Sequence, residues 1–403
     1  MTDSADSAAA GAAAGRPSAT ADGDGGGPTA TAVGDALADL DPAYFGLVMS
    51  TGIVSVAFRE LGVGAVAWPL AVFTVACYAL LVGLFAVRLA RFPARFVADL
   101  RDPDRHWGTL TVVVATNTVG VQAVAFFDAP GAAAALWLAA VVAAPLLLYY
   151  LFLTEFVGQH RAGVSERIDG AFLLAVVCVQ SLAVLGAALA DSLSGYADAV
   201  VLASAGYFGA GVVLYVVVVT VVTYRLLDGA LRPADWTGPY WITMGAAAIT
   251  TLAGATLGRS LQSVPAWEPY VPVVVAATFL AWAAATWWIP LLLAVDVWAF
   301  ATRGVDGRPP LWVVAAPWAR LGFGRRLHDY APTAWGRVFP MGMYTACTLQ
   351  LARFEPFGPL AVVPAYSGWV ALAVWGVTLV GAGRATARVL TRWRRSEPAT
   401  VAG

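Results

Sequence analysis

The sequence predicts an all-α integral membrane protein. Ten transmembrane helices are expected, paired as five hairpins in a pseudo-fivefold ring with odd helices inside and even helices outside. Three observations carry this. Hydrophobic residues make up 60% of the 403 positions and charged residues 12%, with a mean hydropathy of +0.73, whereas a water-solvated domain carries roughly a quarter charged residues. The apolar residues fall in blocks of roughly twenty, the length at which a helix crosses the hydrocarbon core. The arginines, finally, gather in alternate connections between those blocks.

Residues 1–38 are rich in Ala, Gly, Asp, Ser and Thr and contain no aromatic, so a disordered acidic tail is expected there. The tail lacks a basic stretch followed by an apolar one, so it does not read as a cleavable signal. The ten-span domain covers 41–390. Its first span, 43–60, opens on Asp41-Pro42, a cap and first-turn proline. The others are expected at 66–90, 108–127, 133–157, 169–190, 198–224, 239–259, 271–299, 334–353 and 364–387. Residues 391–403 form a basic cytoplasmic tail.

Arginine placement sets the orientation. Arg88, Arg91, Arg95, Arg101 and Arg105 follow span two, Arg161 and Arg167 span four, and Arg225 and Arg232 span six. Five more follow span eight, and another cluster ends span ten. The opposite side has only Arg59, Arg259 and Arg353 near its helix ends. Both termini of this multi-pass chain are therefore expected in the cytoplasm, with the chain in the plasma membrane. The odd spans start near 43, 108, 169, 239 and 334, a loose hairpin repeat that motivates the ring. The connection 300–333 carries Trp312, Trp318 and Phe323 and reads either as an interfacial amphipathic segment or as an ordinary loop.

Several functions lack their signatures. A formal net charge of -1 argues against a nucleic-acid partner. Cys77, Cys178 and Cys347 stand alone in apolar blocks and read as small core residues. His106, His160 and His328 all fall in connections, which argues against a haem carried between spans. There is no phosphate-binding glycine loop, nucleophile elbow or zinc-hydrolase signature. The chain is therefore not expected to be an enzyme, nor to hold a cofactor or metal.

Polar residues concentrate on odd spans, where they would face a hydrated path instead of lipid. The alternative is that Ser and Thr bond back to their own helices or to a neighbouring one. The expected lining is Ser50, Thr51, Thr116, Thr118, Gln180, Thr250 and Thr345, hydroxyls and amides that suit an anion without trapping it. Arg59, Arg259 and Arg353 would form a loose positive collar at the outer mouth, countered by Asp128 and Asp191. Pro340 interrupts span nine directly after Phe339, placing a large ring beside a kink. Glu155 and Asp296 lie near cytoplasmic ends of even spans, where snorkelling to the interface or pairing with a loop arginine is expected in preference to proton coupling.

Three stretches resemble the tellurite-resistance/C4-dicarboxylate transporter family, which includes the plant slow-type anion channels. They are "YFGLVMSTGIVSVAF" (44–58), "YWITMGAAAITTLAG" (240–254) and "WGRVFPMGMYTACTLQLARF" (335–354). The resemblance implies a homotrimer with one pore per protomer, lined by odd helices. It also implies a phenylalanine gate in span nine, matched by Phe339, with Phe354 and Phe45 as weaker candidates. The expected function is a passive channel for small inorganic or carboxylate anions. The alternative is a proton-coupled carrier of C4-dicarboxylates, sulfite or tellurite, using Glu155 or Asp296.

Overall fold

A computed structural model describes residues 34–396, apart from 104, 159–162, 164–166, 229–230, 234 and 303–329. Most of the expected N-terminal tail, residues 397–403, His160, His328, Trp312, Trp318 and Phe323 lie outside the described residues. Residues 34–38, expected to be part of the tail, are instead helical, and Ala38 is buried. The C-terminal helix likewise runs through five residues of the expected basic tail and ends at Ser396.

Ten long helices follow one another among the described residues. They are α1 (Phe45–Glu60), α2 (Gly64–Arg91), α3 (Leu110–Phe127), α4 (Pro130–Val157) and α5 (Leu174–Leu189). The rest are α6 (Ala197–Asp228), α7 (Ile242–Gln262), α8 (Val271–Thr302), α9 (Trp335–Leu351) and α10 (Val362–Ser396). Among the described residues, eight helical stretches are long and apolar enough to cross a membrane. The remaining two helices, α1 with 16 residues and α9 with 17, are shorter. Every odd helix is entered through a short 3-10 turn, at Pro42–Tyr44, His106–Thr109, Gly170–Leu173, Gly238–Trp241 and Pro332–Ala334. Proline or a side-chain cap starts several of these turns; Asp41, for instance, accepts from Ala43 N at 2.8 Å.

Burial divides the helices into two sets. Every residue in the most apolar window around α7 is buried, against 17% of the window in α2. The odd helices touch in the order α1, α3, α5, α7, α9, and α9 touches α1 again; each also packs on the even helix that follows it. Leu138, Val142, Leu146 and Leu280 on even helices stay exposed, as apolar side chains facing lipid would. Cys178 and Cys347 are buried core residues and Cys77 is half-buried, all three as free thiols.

The stretch after α2, expected as an arginine-bearing loop, is partly helical and buries one of its arginines. Pro93–Arg101 is a helix, and Arg88 is buried with Asp99, 2.6 Å away. The other Asp99 oxygen takes Arg105 at 2.9 Å, and Arg88 Nε donates to Ala38 O at 2.9 Å. Ion pairing is what permits a guanidinium at this depth. The same network ties the 34–38 turn down.

Candidate functional site: two cavities within the inner helices

Two cavities open between the same five helices, at opposite ends. The larger, about 170 Å³, lies among their C-terminal halves. Its wall takes Ile53, Val56 and Glu60 from α1, Asn117, Thr118 and Val121 from α3, and Ser181 and Val184 from α5. It also takes Leu252, Thr256 and Arg259 from α7, and Met343 and Gln350 from α9. The smaller, about 60 Å³, lies at the N-terminal entries and includes Asp41, Met49, Arg105, Thr111, Leu174, Ile242 and Trp335. On α9 the N-terminal cavity ends at Gly336 and the C-terminal one begins at Met343. Phe339 and Pro340 lie between them, both buried. A Cβ on Gly245 of α7 would come within 2.8 Å of Pro340 Cγ, so α7 approaches the proline where only glycine leaves room.

Of the seven expected lining residues, Thr118 is on the wall of one of these two cavities and the other six are on neither. Ser50 donates to Trp335 O at 3.1 Å and ties α1 to α9. Thr51 accepts from Trp375 Nε1 of α10 at 2.9 Å, and Thr116 pairs with Tyr78 of α2 at 2.9 Å. Gln180 donates to Phe208 O of α6 at 3.3 Å, and Thr345 pairs with Ser367 of α10 at 2.9 Å. Thr250 bonds back to Ala246 O at 2.7 Å. Four of these residues therefore join inner helices to outer ones, and for them the weighed alternative of helix-to-helix bonding holds.

The lining polar groups that were passed over are Asn117, Ser181, Thr256, Gln350 and Glu60. Helical phase carried the signal. Counting back from Arg259 in steps of three and four lands on Thr256, Leu252 and Ile249, all on the cavity wall, and misses Thr250. On α3, Asn117, Thr118, Val121, Val124 and Ala125 form one such face. Asn117 Nδ2 donates to Ser181 Oγ at 2.8 Å, joining α3 to α5 at the wall.

The expected collar is only partly assembled. Arg259 lines the C-terminal cavity and donates to Gln350 Oε1. Arg353 donates to the same oxygen at 3.1 Å and pairs with Glu60. Arg59 is exposed and lies over the Phe126 ring, 5.0 Å from its centre, off the cavity wall. Glu155 and Asp296 line neither cavity. Glu155 pairs with Arg167 at 2.5 Å, with His106 Nε2 3.4 Å away. Asp296 accepts from Trp236 at 2.6 Å and Trp241 at 2.8 Å, and from Arg337 of α9 at 3.0 Å. Among the described residues no His/Cys/Asp/Glu group has a metal-holding arrangement.

Comparison with known proteins places the chain in a family. The profile of a family described as voltage-dependent anion channel matches residues 39–382. An uncharacterized membrane protein of Mycobacterium tuberculosis is 36% identical over 186 residues, 46% of this chain and 83% of that protein. An uncharacterized transporter of Methanocaldococcus jannaschii is 19% identical over 350 residues, 85% of this chain and 94% of the relative. The chain belongs to the voltage-dependent anion channel family and is a multi-pass membrane protein.

Proposed function

We propose that this family member is a passive, anion-selective channel for small inorganic or carboxylate anions. The observation that carries the reading is the pair of cavities walled by the same five helices and separated on α9 at Phe339 and Pro340. All ten helices cross the bilayer in this reading, the short α1 and α9 being extended by their entry turns. The odd helices form a pseudo-fivefold inner ring around the path, with the even helices around them. The chain sits in the plasma membrane as a homotrimer with one path per protomer and both termini in the cytoplasm, which makes the C-terminal cavity the outer one. Asn117 offers an amide donor on that wall, the Thr118, Ser181 and Thr256 hydroxyls must turn from Val114, Cys178 and Leu252 O to reach a passing anion, and Arg259 raises the anion's local concentration.

Phe339 closes the path between the cavities, and movement of its ring opens it. Planar-bilayer currents test this directly. Phe339→Ala should carry at least about tenfold more current than the wild-type protein, since removing a buried ring leaves a passage of its own volume. Equal or smaller current in the variant would sink the gate.

The second reading, a proton-coupled carrier of dicarboxylate, sulfite or tellurite, has one observation in its favour: Glu60 is a titratable acid on the cavity wall. Glu155 and Asp296 are held in ion pairs away from both cavities. Uptake driven by a pH gradient and abolished in Glu60→Gln would favour the carrier.

A further inference from the structure

The charges at the C-terminal mouth add up to a small positive number, and that number bears on which anions enter. Glu60 stands at the end of α1 and Arg259 near the end of α7, and both line the cavity. Arg353 lies just beyond α9 and pairs with the Glu60 carboxylate. Gln350 Oε1 accepts from both Arg259 and Arg353, which holds the two guanidiniums on one acceptor. Two cations so close repel each other, and Glu60 offsets that repulsion. Asp191 also acts on Arg259, but among the described residues it is not part of the bonded set, whereas Glu60 and Arg353 pair directly and Arg353 shares Gln350 with Arg259. Behind the mouth the wall is Val121, Val184 and Leu252, with Asn117 and Ser181 offering dipoles and no further cation.

We propose that Glu60 is a specificity-determining residue of the path: it leaves the Arg259–Arg353–Glu60 cluster with one net positive charge and so matches the mouth to monovalent anions over dianions. The inference rests on the reading that the path carries anions and names the class. Attraction to the mouth grows in proportion to the anion's charge, whereas the cost of stripping its water grows with the square of that charge. One net positive charge can offset the dehydration of a monoanion and not that of a dianion. Neutralising Glu60 raises the net charge to two. A dianion then gains on a monoanion by about tenfold, the effect of one extra charge interaction at a few ångströms in a partly hydrated site.

The experiment compares acetate, a monoanion, with succinate, a dianion at neutral pH, on the full-length protein. Thermal unfolding in detergent at fixed ionic strength gives apparent affinity from the shift of the midpoint with anion concentration. Each variant is referred to its own anion-free midpoint, so a change in basal stability drops out. The wild-type protein should bind acetate the more tightly. Glu60→Gln should shift the succinate-to-acetate ratio by about tenfold toward succinate. Arg353→Gln, with no net charge, should bind acetate about tenfold and succinate about a hundredfold more weakly. The double variant Glu60→Gln/Arg353→Gln returns the net charge to one and should recover the wild-type ratio although the ion pair is gone.

A ratio unchanged in Glu60→Gln, or a double variant that behaves like Glu60→Gln, overturns the proposal. Liposome flux with the same proteins separates the two readings. Affinities that follow the charge sum in a protein passing no anion would defeat conduction and uphold Glu60 as the selector. Flux whose selectivity ignores Glu60 would do the reverse.

Discussion

The two ends of the inner helices are held together by different means. At the N-terminal end the entry turns meet backbone to backbone. A Cβ on Gly170 would strike Pro239 O, and one on Gly238 would strike Thr333 O, so the turns leading into α5, α7 and α9 lie in direct contact. Thr111 Oγ1 reaches across from α3 to Pro42 O at 3.0 Å in the same layer. At the C-terminal end long side chains do the joining: Glu60, Arg353, Gln350 and Arg259 link α1, α9 and α7. Helices touching through backbone leave about 60 Å³ between them, and helices held apart by side chains leave about 170 Å³. The difference shows which end is a rigid frame and which is an adjustable mouth, since close-packed backbone yields far less than a solvated side chain.

Three substitutions test that contrast. The largest effect belongs to the frame. Gly238→Ala forces two entry turns apart at the cost of overpacking, about 3 kcal/mol, and should lower the unfolding midpoint by several degrees. Gly209→Ala on α6 has open space for its methyl group and should leave the midpoint unchanged or slightly raised. Equal effects from the two would break the contrast. At the mouth, Arg259→Gln should weaken anion binding by about tenfold while hardly moving the midpoint, because losing its bond to Gln350 is offset by relief of its repulsion with Arg353. A large loss of stability there would make Arg259 part of the frame instead.

The smallest effect separates two neighbours on α3. Thr118→Val removes a hydroxyl from the cavity wall and should alter unitary conductance about twofold. Thr116→Val removes the bond to Tyr78, costing about 1 kcal/mol of stability, and should leave conductance as it was. The reverse outcome would mean that α3 presents its other face to the path.

Most of the helical layout was legible because each long helix is a local solution to a local demand. A lipid-facing backbone must bond within its own segment, and roughly twenty apolar residues meet that demand wherever they occur. The expected spans 133–157 and 239–259 thus correspond to α4 (Pro130–Val157) and α7 (Ile242–Gln262). Arg88 escaped the reading because an arginine beside an apolar block looks like a loop anchor until Asp99 is seen beside it, eleven residues on. Glu155 pairs with Arg167, one of the two outcomes expected for it, whereas Asp296 has its arginine on α9 and not in a loop.

The sequence alone determined that the chain is helical, that it lives in a bilayer and that the polar residues belong to alternate helices. It could not set the rotation of each helix about its axis. A threonine is content bonding to its own helix, to a tyrosine on a neighbour or to a passing anion, and composition is the same in all three cases. Packing against the outer helices made the choice: it turned Thr51, Thr116, Gln180 and Thr345 outward to partners and left Asn117, Thr118, Ser181 and Thr256 on the cavity wall.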